Sequence, residues 1–297
     1  MTAIEDVARE FFVYLDAEKG CSRATIEAYA SDLNLFVEFL VQRDRGAEVE
    51  AVTAELLREY LADMSARGLS ASTRGRRLYA LRSLWHYLEV TERVTENPCR
   101  RVSAPRRHEH VPTSLSVAEC ARLLAACEDN HYVDLAFRDR AILCALIYQG
   151  LRRAEVLGLQ LGDVDPEAMT VLVRRGKGGK SRMMPLAEPA AEALADWLEL
   201  RPRCEHSVVF TTRGARPMSA KDLQRMFRRT VARADLAREG LTVHSLRHTF
   251  AMLLLREGVD VRALQRLLGH SSIETTALYL HLETDDLRDA VARHPLR

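Results

Sequence analysis

The sequence has few of the features that mark a secreted or membrane protein. No stretch approaches the run of roughly 18 apolar residues that a membrane-spanning helix requires. The opening residues, MTAIEDVAREFF, are acidic where a secretory signal has a basic region followed by an apolar run. The six cysteines are scattered and form no C-x-x-C pair, which favours reduced thiols. These absences predict a cytoplasmic protein without a membrane span.

Net charge is also scarce, since the 297 residues sum to only +1 at pH 7. The chain is 47% hydrophobic and 29% charged, and its length suits two domains of ordinary size. The charge is unevenly distributed: residues 1–66 are acidic overall, whereas residues 67–107 hold ten arginines and three glutamates. Residues 174–182 and 213–233 are two further basic segments. Each basic segment alone would suit a solvated helix face. Three such segments flank the candidate site that the later motifs define, and together they favour nucleic acid as the partner.

The first hundred residues have apolar positions at helical spacing. Ser22 and Thr53 are suited to cap two helices, and Gly68 is suited to end the second. A third helix begins after Ser70, with one apolar stripe that its arginines largely avoid. The arginines predicted to contact DNA from this helix are Arg74, Arg76 and Arg77.

Helical spacing stops between residues 96 and 114. Three prolines and several arginines in this stretch predict an extended basic linker between domains. Arg106 and Arg107 are its candidate DNA contacts. The predicted domains are therefore 1–95, which is helical, and 115–297, which holds the candidate site and a C-terminal tail.

The second domain is predicted to be mainly helical with a small sheet. Ser116 and Glu119 form a capping box that opens its first helix. The segments MTVLVRR and SRMMPL flank the turn GKGGK and predict an antiparallel β-hairpin. Helices are predicted at roughly 116–127, 137–149, 189–200, 219–234, 244–256 and 260–268. The fold class is therefore mainly α, in two domains, with a small antiparallel β-sheet in the second.

Two motifs in the last third of the chain carry groups that suit phosphate chemistry. HSLRH places His244, Arg247 and His248 on one helix face, because residues three and four apart are neighbours. In LLGHSS, Gly269 suits a left-handed helix end, and His270 follows it directly. Helix capping or core hydrogen bonding would explain the histidines equally well, so neither motif is decisive alone.

Three further residues complete a candidate site. Arg152 follows Gly150 at the start of a short helix, near backbone N–H groups that favour anions. Glu155, one turn on, could orient Arg152 or merely form a surface pair. Lys177 lies in the glycine-flanked turn, which lacks Walker spacing and does not predict nucleotide binding. Tyr279 stands between two leucines, where packing alone would explain it. A tyrosine hydroxyl has a pKa of about 10 and a phosphodiester gains negative charge under attack, so both need cations and donors nearby.

The ordered set G-L-R-x-x-E, G-K-G-x-K, H-x-L-R-H-T-F, L-G-H-S-S and T-T-x-x-Y-x-H is highly specific. On these motifs the chain resembles the tyrosine recombinase (phage integrase) family over essentially its full length, and is most similar to the Xer-type members. The resemblance implies a SAM-like core-binding domain in residues 1–95 and a catalytic domain in residues 115–297. The catalytic residues that it implies are Arg152, Lys177, His244, Arg247, His270 and Tyr279.

The resemblance also implies a reaction. Tyr279 attacks the scissile phosphate, forms a 3′-phosphotyrosyl bond and releases a 5′-oxygen that Lys177 protonates. The two arginines hold the non-bridging oxygens, and the two histidines handle protons near the phosphate. Strand exchange then passes through a Holliday junction. No metal, ATP or other cofactor is implied.

The implied partners are double-stranded DNA with paired half-sites and other recombinase subunits. Four protomers, identical or including a paralogue, bind two sites. The tail at 282–297 docks on a neighbouring protomer or is a frayed helix. The role is Xer-type chromosome dimer resolution or the integration and excision of a mobile element. Gln149 and Ala154 depart from the commonest family pattern, which weakens the first of these roles.

Two alternatives to a recombinase follow from the same residues. A type IB topoisomerase uses a similar nucleophile and cationic pocket, although the helical first domain and the tail favour recombination. A DNA-binding relative without activity would bind DNA through the basic segments but would not cleave it. Relaxation of a plasmid and covalent capture of DNA distinguish these alternatives.

Overall fold

In this computed structural model the chain forms two compact units, Met1–His110 and Val111–Arg297. The structure describes residues 2–106, 113–165, 167–174 and 181–269. Of the helices in those ranges, none combines the length and the apolar character needed to cross a membrane. The fold is mainly helical with one small antiparallel sheet in the second unit, which confirms the predicted fold class.

The first unit is built from helices whose starts are marked by capping side chains. As predicted, three residues cap helices: Ser22, Thr53 and Ser70. The side chain of each accepts a hydrogen bond from the backbone N–H of the residue three positions later. The elements are α1 (Ile4–Ala17), α2 (Arg23–Gln42), α3 (Ala54–Ala66) and α4 (Ala71–Val90), with 3-10 helices at Val49–Ala51 and Pro98–Arg101.

Helix α1 adds to the predicted elements. Its apolar residues Ile4, Val7 and Phe11 are buried. Its N-cap is Ala3, whose side chain accepts no hydrogen bond, so the start of the helix carries no capping signal. The four helices pack around large buried side chains, which include Phe36, Tyr60 and Trp85.

The segment 96–114, predicted to be extended, begins with a folded turn instead. Pro98–Arg101 form a 3-10 helix, and Cys99 and Val102 are buried in the core of the first unit. Arg82 of α4 donates a hydrogen bond to the Val102 carbonyl oxygen at 2.5 Å. Burial of the two apolar side chains therefore holds the beginning of this segment against the first unit.

The second unit is organised around one helix whose second half is buried. Its helices are α5 (Val117–Ala125), α6 (Val133–Ile147), α7 (Arg153–Gly158), α8 (Glu188–Leu200), α9 (Ala220–Arg233), α10 (Val243–Arg256) and α11 (Val261–Leu268). Helix α6 packs against α8 and α10 and buries residues on every face. The predicted capping box is present before α5, since Ser116 Oγ accepts the Glu119 N–H at 3.2 Å and Glu119 Oε2 accepts the Ser116 N–H at 2.7 Å.

The sheet of the second unit has three antiparallel strands. They are β1 (Val164–Asp165), β2 (Thr170–Val173) and β3 (Arg182–Pro185), in that order across the sheet. The predicted hairpin is confirmed as β2 and β3, in which Val171 lies opposite Met184 and Val173 lies opposite Arg182. The turn residues 175–180 lie outside the described residues. Arg182 is the first residue of β3. Its side chain reaches the end of α11, where Nε donates to the Leu267 carbonyl oxygen.

Gly150 connects α6 to α7 in a conformation that suits glycine. Its φ is +58°, in the left-handed region, where a Cβ is strained. A Cβ at this position would lie 2.3 Å from Cδ1 of Phe250 in α10. Helix α10 therefore packs directly on the backbone that leads into Arg152.

We expect Gly150→Ala to lower the free energy of unfolding by about 3 kcal/mol, because left-handed strain and overpacking against Phe250 add together. Gly258→Ala is the matched control, since Gly258 has a φ of +78° and nothing within 4 Å of an added Cβ. The control should lose only about 1 kcal/mol. Urea denaturation of both variants measures the difference, and equal losses would contradict the close approach of Phe250.

Candidate active site

The predicted catalytic residues divide between described and undescribed parts of the chain. Arg152, His244 and Arg247 lie in the second unit and are described. The predicted residues that lie outside the described ranges are Lys177, His270, Tyr279 and the candidate DNA contact Arg107. The described part of the predicted site is therefore the part that bears the arginines.

Arg152 is the N-cap residue of α7 and is held from two directions. Its backbone N–H donates to Glu155 Oε2 at 2.8 Å, and its Nη1 donates to Glu155 Oε1 at 2.9 Å. Its Nη2 donates to the Gly269 carbonyl oxygen at 3.1 Å, at the end of α11. These bonds orient the guanidinium, and the side chain as a whole keeps 24% of its surface exposed.

Arg182 is a site residue that the sequence did not single out. Its Nη1 and Nη2 donate to the two carboxylate oxygens of Glu155 at 2.8 and 3.0 Å, as a bidentate pair. Its Nε donates to the Leu267 carbonyl oxygen at 3.0 Å. The only signal in the sequence was its membership of the basic segment 174–182.

Glu155 is a buried carboxylate, with 4% of its side chain exposed. Burial raises its pKa, but hydrogen bonds from Arg182 and from the Arg152 N–H, with the charges of both arginines, outweigh burial, so its pKa is lowered overall. Glu155 is therefore ionised at neutral pH. The sequence left open whether this residue orients Arg152 or forms a surface pair, and the structure shows the first.

Arg247 comes from α10 and is buried, with 2% of its surface exposed. Its Nη1 donates to the Gly150 carbonyl oxygen at 2.6 Å, and its Nη2 donates to the Leu268 carbonyl oxygen at 2.6 Å. Through these bonds the guanidinium joins the backbone before α7 to the end of α11.

Arg152, Arg182 and Arg247 all donate hydrogen bonds to the end of α11. The carbonyl oxygens of Leu267, Leu268 and Gly269 are successive in the chain, and each accepts a hydrogen bond from a different guanidinium. The C-terminal end of a helix carries partial negative charge and unpaired carbonyl groups, so cationic donors stabilise it. Gly269 has a φ of +61° and forms the predicted left-handed cap. Three arginines and one glutamate give this cluster a net charge of +2.

His244 and His248 lie one turn apart on α10, with ring centroids 4.6 Å apart and nearly perpendicular planes. Loss of water around the ring lowers the pKa of His244, and the charges of Arg247 and Arg152 lower it further. Burial, with smaller contributions from His244 and Arg247, lowers the pKa of His248 to about 4. Both rings are therefore neutral at pH 7 and able to accept or donate a proton beside the arginines.

The two departures from the family pattern have different surroundings. Gln149 is buried, and with its amide turned to satisfy both neighbours it donates to the Pro185 carbonyl oxygen at 2.8 Å and accepts the Ala187 N–H at 2.7 Å. It therefore joins the end of α6 to the end of β3. Ala154 is exposed on α7.

The candidate DNA contacts of α4 are partly engaged inside the first unit. Asp32 is buried and pairs with Arg76, while Arg77 Nε lies 3.9 Å from the same carboxylate. Burial raises the pKa of Asp32, and the two arginines oppose the rise. Arg77 keeps only 14% of its side chain exposed, whereas Arg76 keeps 48%. Arg106 is exposed. The contacts of α4 and of Arg106 with DNA remain predictions.

Both units of the chain match models of one protein family. Residues 113–285 match the phage integrase family, and residues 8–91 match the phage integrase N-terminal SAM-like domain. The tyrosine recombinase XerC of Chlorobaculum tepidum is 35% identical over 317 residues, which covers 96% of this chain and 93% of the relative. The two domains and the fold are those of a tyrosine recombinase. The chain belongs to the phage integrase family.

Solved structures share the fold over nearly the whole chain. The crystal structure of XerA recombinase has 28% sequence identity and a TM-score of 0.56, and the match covers 99% of both chains. XerH site-specific recombinase bound to palindromic difH substrate has a TM-score of 0.76 at 24% identity, with 96% of this chain and 84% of that chain covered. The second likeness concerns the fold alone.

The low pKa of His248 predicts a pH dependence of stability. Its ordinary value is about 6.5, so between that pH and pH 4 the unfolded chain binds the proton and the folded chain does not. We expect the free energy of unfolding to fall by up to about 3 kcal/mol across this window, and His248→Asn to flatten the fall. Urea denaturation at pH 7, 5.5 and 4 measures it. His131→Asn, at an exposed histidine of the same unit, is the control; the same slope in His248→Asn and wild type would contradict the assignment.

Proposed function

We propose that this chain is a site-specific DNA recombinase that cuts and rejoins DNA through a 3′-phosphotyrosyl intermediate. The observation that carries the proposal is the meeting of Arg152 and Arg247, from α7 and α10, at the end of α11, immediately before His270. Planar guanidinium groups suit bidentate contact with phosphate oxygens, and a cluster of net charge +2 favours the extra negative charge of a pentacoordinate phosphorus.

In the proposed reaction, the Tyr279 hydroxyl oxygen bonds to the scissile phosphorus and the bond to the 5′-oxygen breaks. Lys177 gives a proton to the leaving 5′-oxygen, and Arg152 and Arg247 hold the non-bridging oxygens. The proton of the Tyr279 hydroxyl passes to one of the two histidines beside the phosphate, His244 or His270, and the lowered pKa of His244 leaves a neutral ring ready to accept it. The phosphotyrosyl bond keeps the energy of the phosphodiester, so rejoining needs no ATP. Cationic side chains supply the electrostatic stabilisation, so the reaction needs no metal.

The proposed assembly has four protomers on two DNA sites and proceeds through a Holliday junction. Protomers are identical or include a paralogue, and the tail at 282–297 contacts a neighbouring protomer. The 35% sequence identity to a XerC recombinase supports an Xer-type role in chromosome dimer resolution in the cytoplasm. Mobile-element integration is the other role, and the surroundings of the gene distinguish the two.

The first test is covalent capture of DNA. A target duplex is selected by its binding to the protein from a random-sequence library, and a nick beside each candidate scissile phosphate makes cleavage irreversible. We expect a protein–DNA adduct on a denaturing gel in buffer containing EDTA, because the mechanism uses no metal. Tyr279→Phe should abolish the adduct, because it removes the nucleophilic oxygen.

The matched control for this test is Tyr148→Phe, which removes a hydroxyl from a partly exposed tyrosine of the same unit. It should form adduct at the wild-type rate. A wild-type chain that binds the selected duplex without forming an adduct would contradict the proposal and favour a DNA-binding protein without activity. Adducts that relax plasmids without producing recombinants from paired sites would favour a topoisomerase.

The second test is the salt dependence of DNA binding. The basic segments imply several phosphate contacts, and each contact releases counterions. We expect affinity for the selected duplex to fall on the order of 10³-fold between 50 and 200 mM salt, the fall typical of about six phosphate contacts. Fluorescence anisotropy measures the slope. A flat response would contradict binding through the phosphate backbone.

A further inference from the structure

Arg182 uses all three of its described contacts to join elements of the site. The side chain starts on β3, reaches Glu155 of α7 through both terminal nitrogens, and reaches the Leu267 carbonyl oxygen through Nε. Only 14% of the side chain is exposed. The sheet, α7 and the end of α11 are therefore joined by one rigid, planar group.

The contacts of Glu155 show what this group contributes. Oε1 accepts from Nη1 of Arg152 and Nη1 of Arg182, and Oε2 accepts from the Arg152 N–H and Nη2 of Arg182. Half of the hydrogen bonds to this buried carboxylate thus come from Arg182. Without Arg182, Glu155 would be held by its two bonds to Arg152 alone, and the Leu267 carbonyl oxygen would lose its guanidinium donor.

Charge leads to the same conclusion. Glu155 and Arg152 alone sum to zero, so a phosphate approaching this pair would meet a neutralised guanidinium. Arg182 raises the sum of the three residues to +1 while it shares the same carboxylate. Arg182 therefore orients Arg152 and preserves its attraction for an anion.

We infer that Arg182 is a positioning residue for DNA cleavage: it fixes Glu155, and through it Arg152, and it holds the end of α11 from which the chain enters His270. The inference rests on the proposed recombinase function. Arg182 acts through these residues and does not itself touch the phosphate.

The test measures single-turnover adduct formation on the nicked selected duplex at saturating DNA. We expect Arg182→Gln to lower the cleavage rate by about 10- to 100-fold, as loss of a supporting contact and small displacements at a reacting centre do. Arg182→Lys should lose nearly as much, because an ammonium keeps the charge without the bidentate fork. The urea midpoint should fall, because Glu155 loses half of its hydrogen bonds, but the variants should remain folded under the conditions of the cleavage assay. Affinity for the duplex should fall by less than the cleavage rate.

The matched control is Arg140→Gln. Arg140 Nη1 lies 3.7 Å from Oε1 of the exposed Glu128 in the same unit, and Arg140 lies outside the three basic segments. Its variant should cleave within about twofold of wild type, as surface substitutions do. A double variant with Glu155→Gln provides a second check. Arg182→Gln should cost little once Glu155 is neutral, because the two residues act as one unit.

Four results would overturn the inference. Wild-type cleavage by both Arg182 variants would show that the contact is dispensable. A wild-type cleavage rate per folded molecule, with only the urea midpoint lowered, would assign Arg182 to folding. A loss of affinity with a shallower salt slope would make it a DNA contact. Absence of any adduct with the wild-type chain would contradict the proposed function itself, and the role of Arg182 with it; this result is seen before any variant is compared.

Discussion

The shared carboxylate of Glu155 is the interaction on which the arrangement of the site depends. A buried carboxylate is costly unless charges and donors compensate it. Here two guanidinium groups and one backbone N–H surround it, and they keep its pKa low despite burial. Because the carboxylate stays charged, it holds Arg152 and Arg182 in defined orientations. The proposed chemistry depends on that order, since phosphate contacts act through geometry as much as through charge.

The end of α11 provides the second half of this arrangement. Three successive carbonyl oxygens would lack donors at an isolated helix terminus, and three arginines from separate elements satisfy them. Carbonyl oxygens orient a guanidinium without cancelling its charge. The same contacts therefore stabilise the helix end, collect cations and position the chain that leads to His270. Gly150 and Gly269 allow this close packing, because both adopt left-handed conformations.

Much of the fold could be predicted because its signals are local. Ser22, Thr53, Ser70 and the capping box before α5 mark helix starts through side chains that accept nearby N–H groups. The features missed lack such signals. Helix α1 has an alanine as its N-cap residue, and β1 has only two residues, too few to show alternation. The turn at Pro98–Arg101 sits in a stretch rich in proline and arginine, and the burial of Cys99 depends on packing with distant residues.

The sequence by itself determined the family, the mainly helical fold class and the identity of the candidate catalytic residues, because these depend on residue types in a fixed order along the chain. Tertiary structure decided which arginines meet. Arg182 and Leu267 are separated by 85 positions, and Arg152 and Gly269 by 117. No local pattern encodes such contacts, because they arise when the sheet, α7, α10 and α11 pack around a common core. That packing turned one arginine of a basic segment into a partner of Glu155.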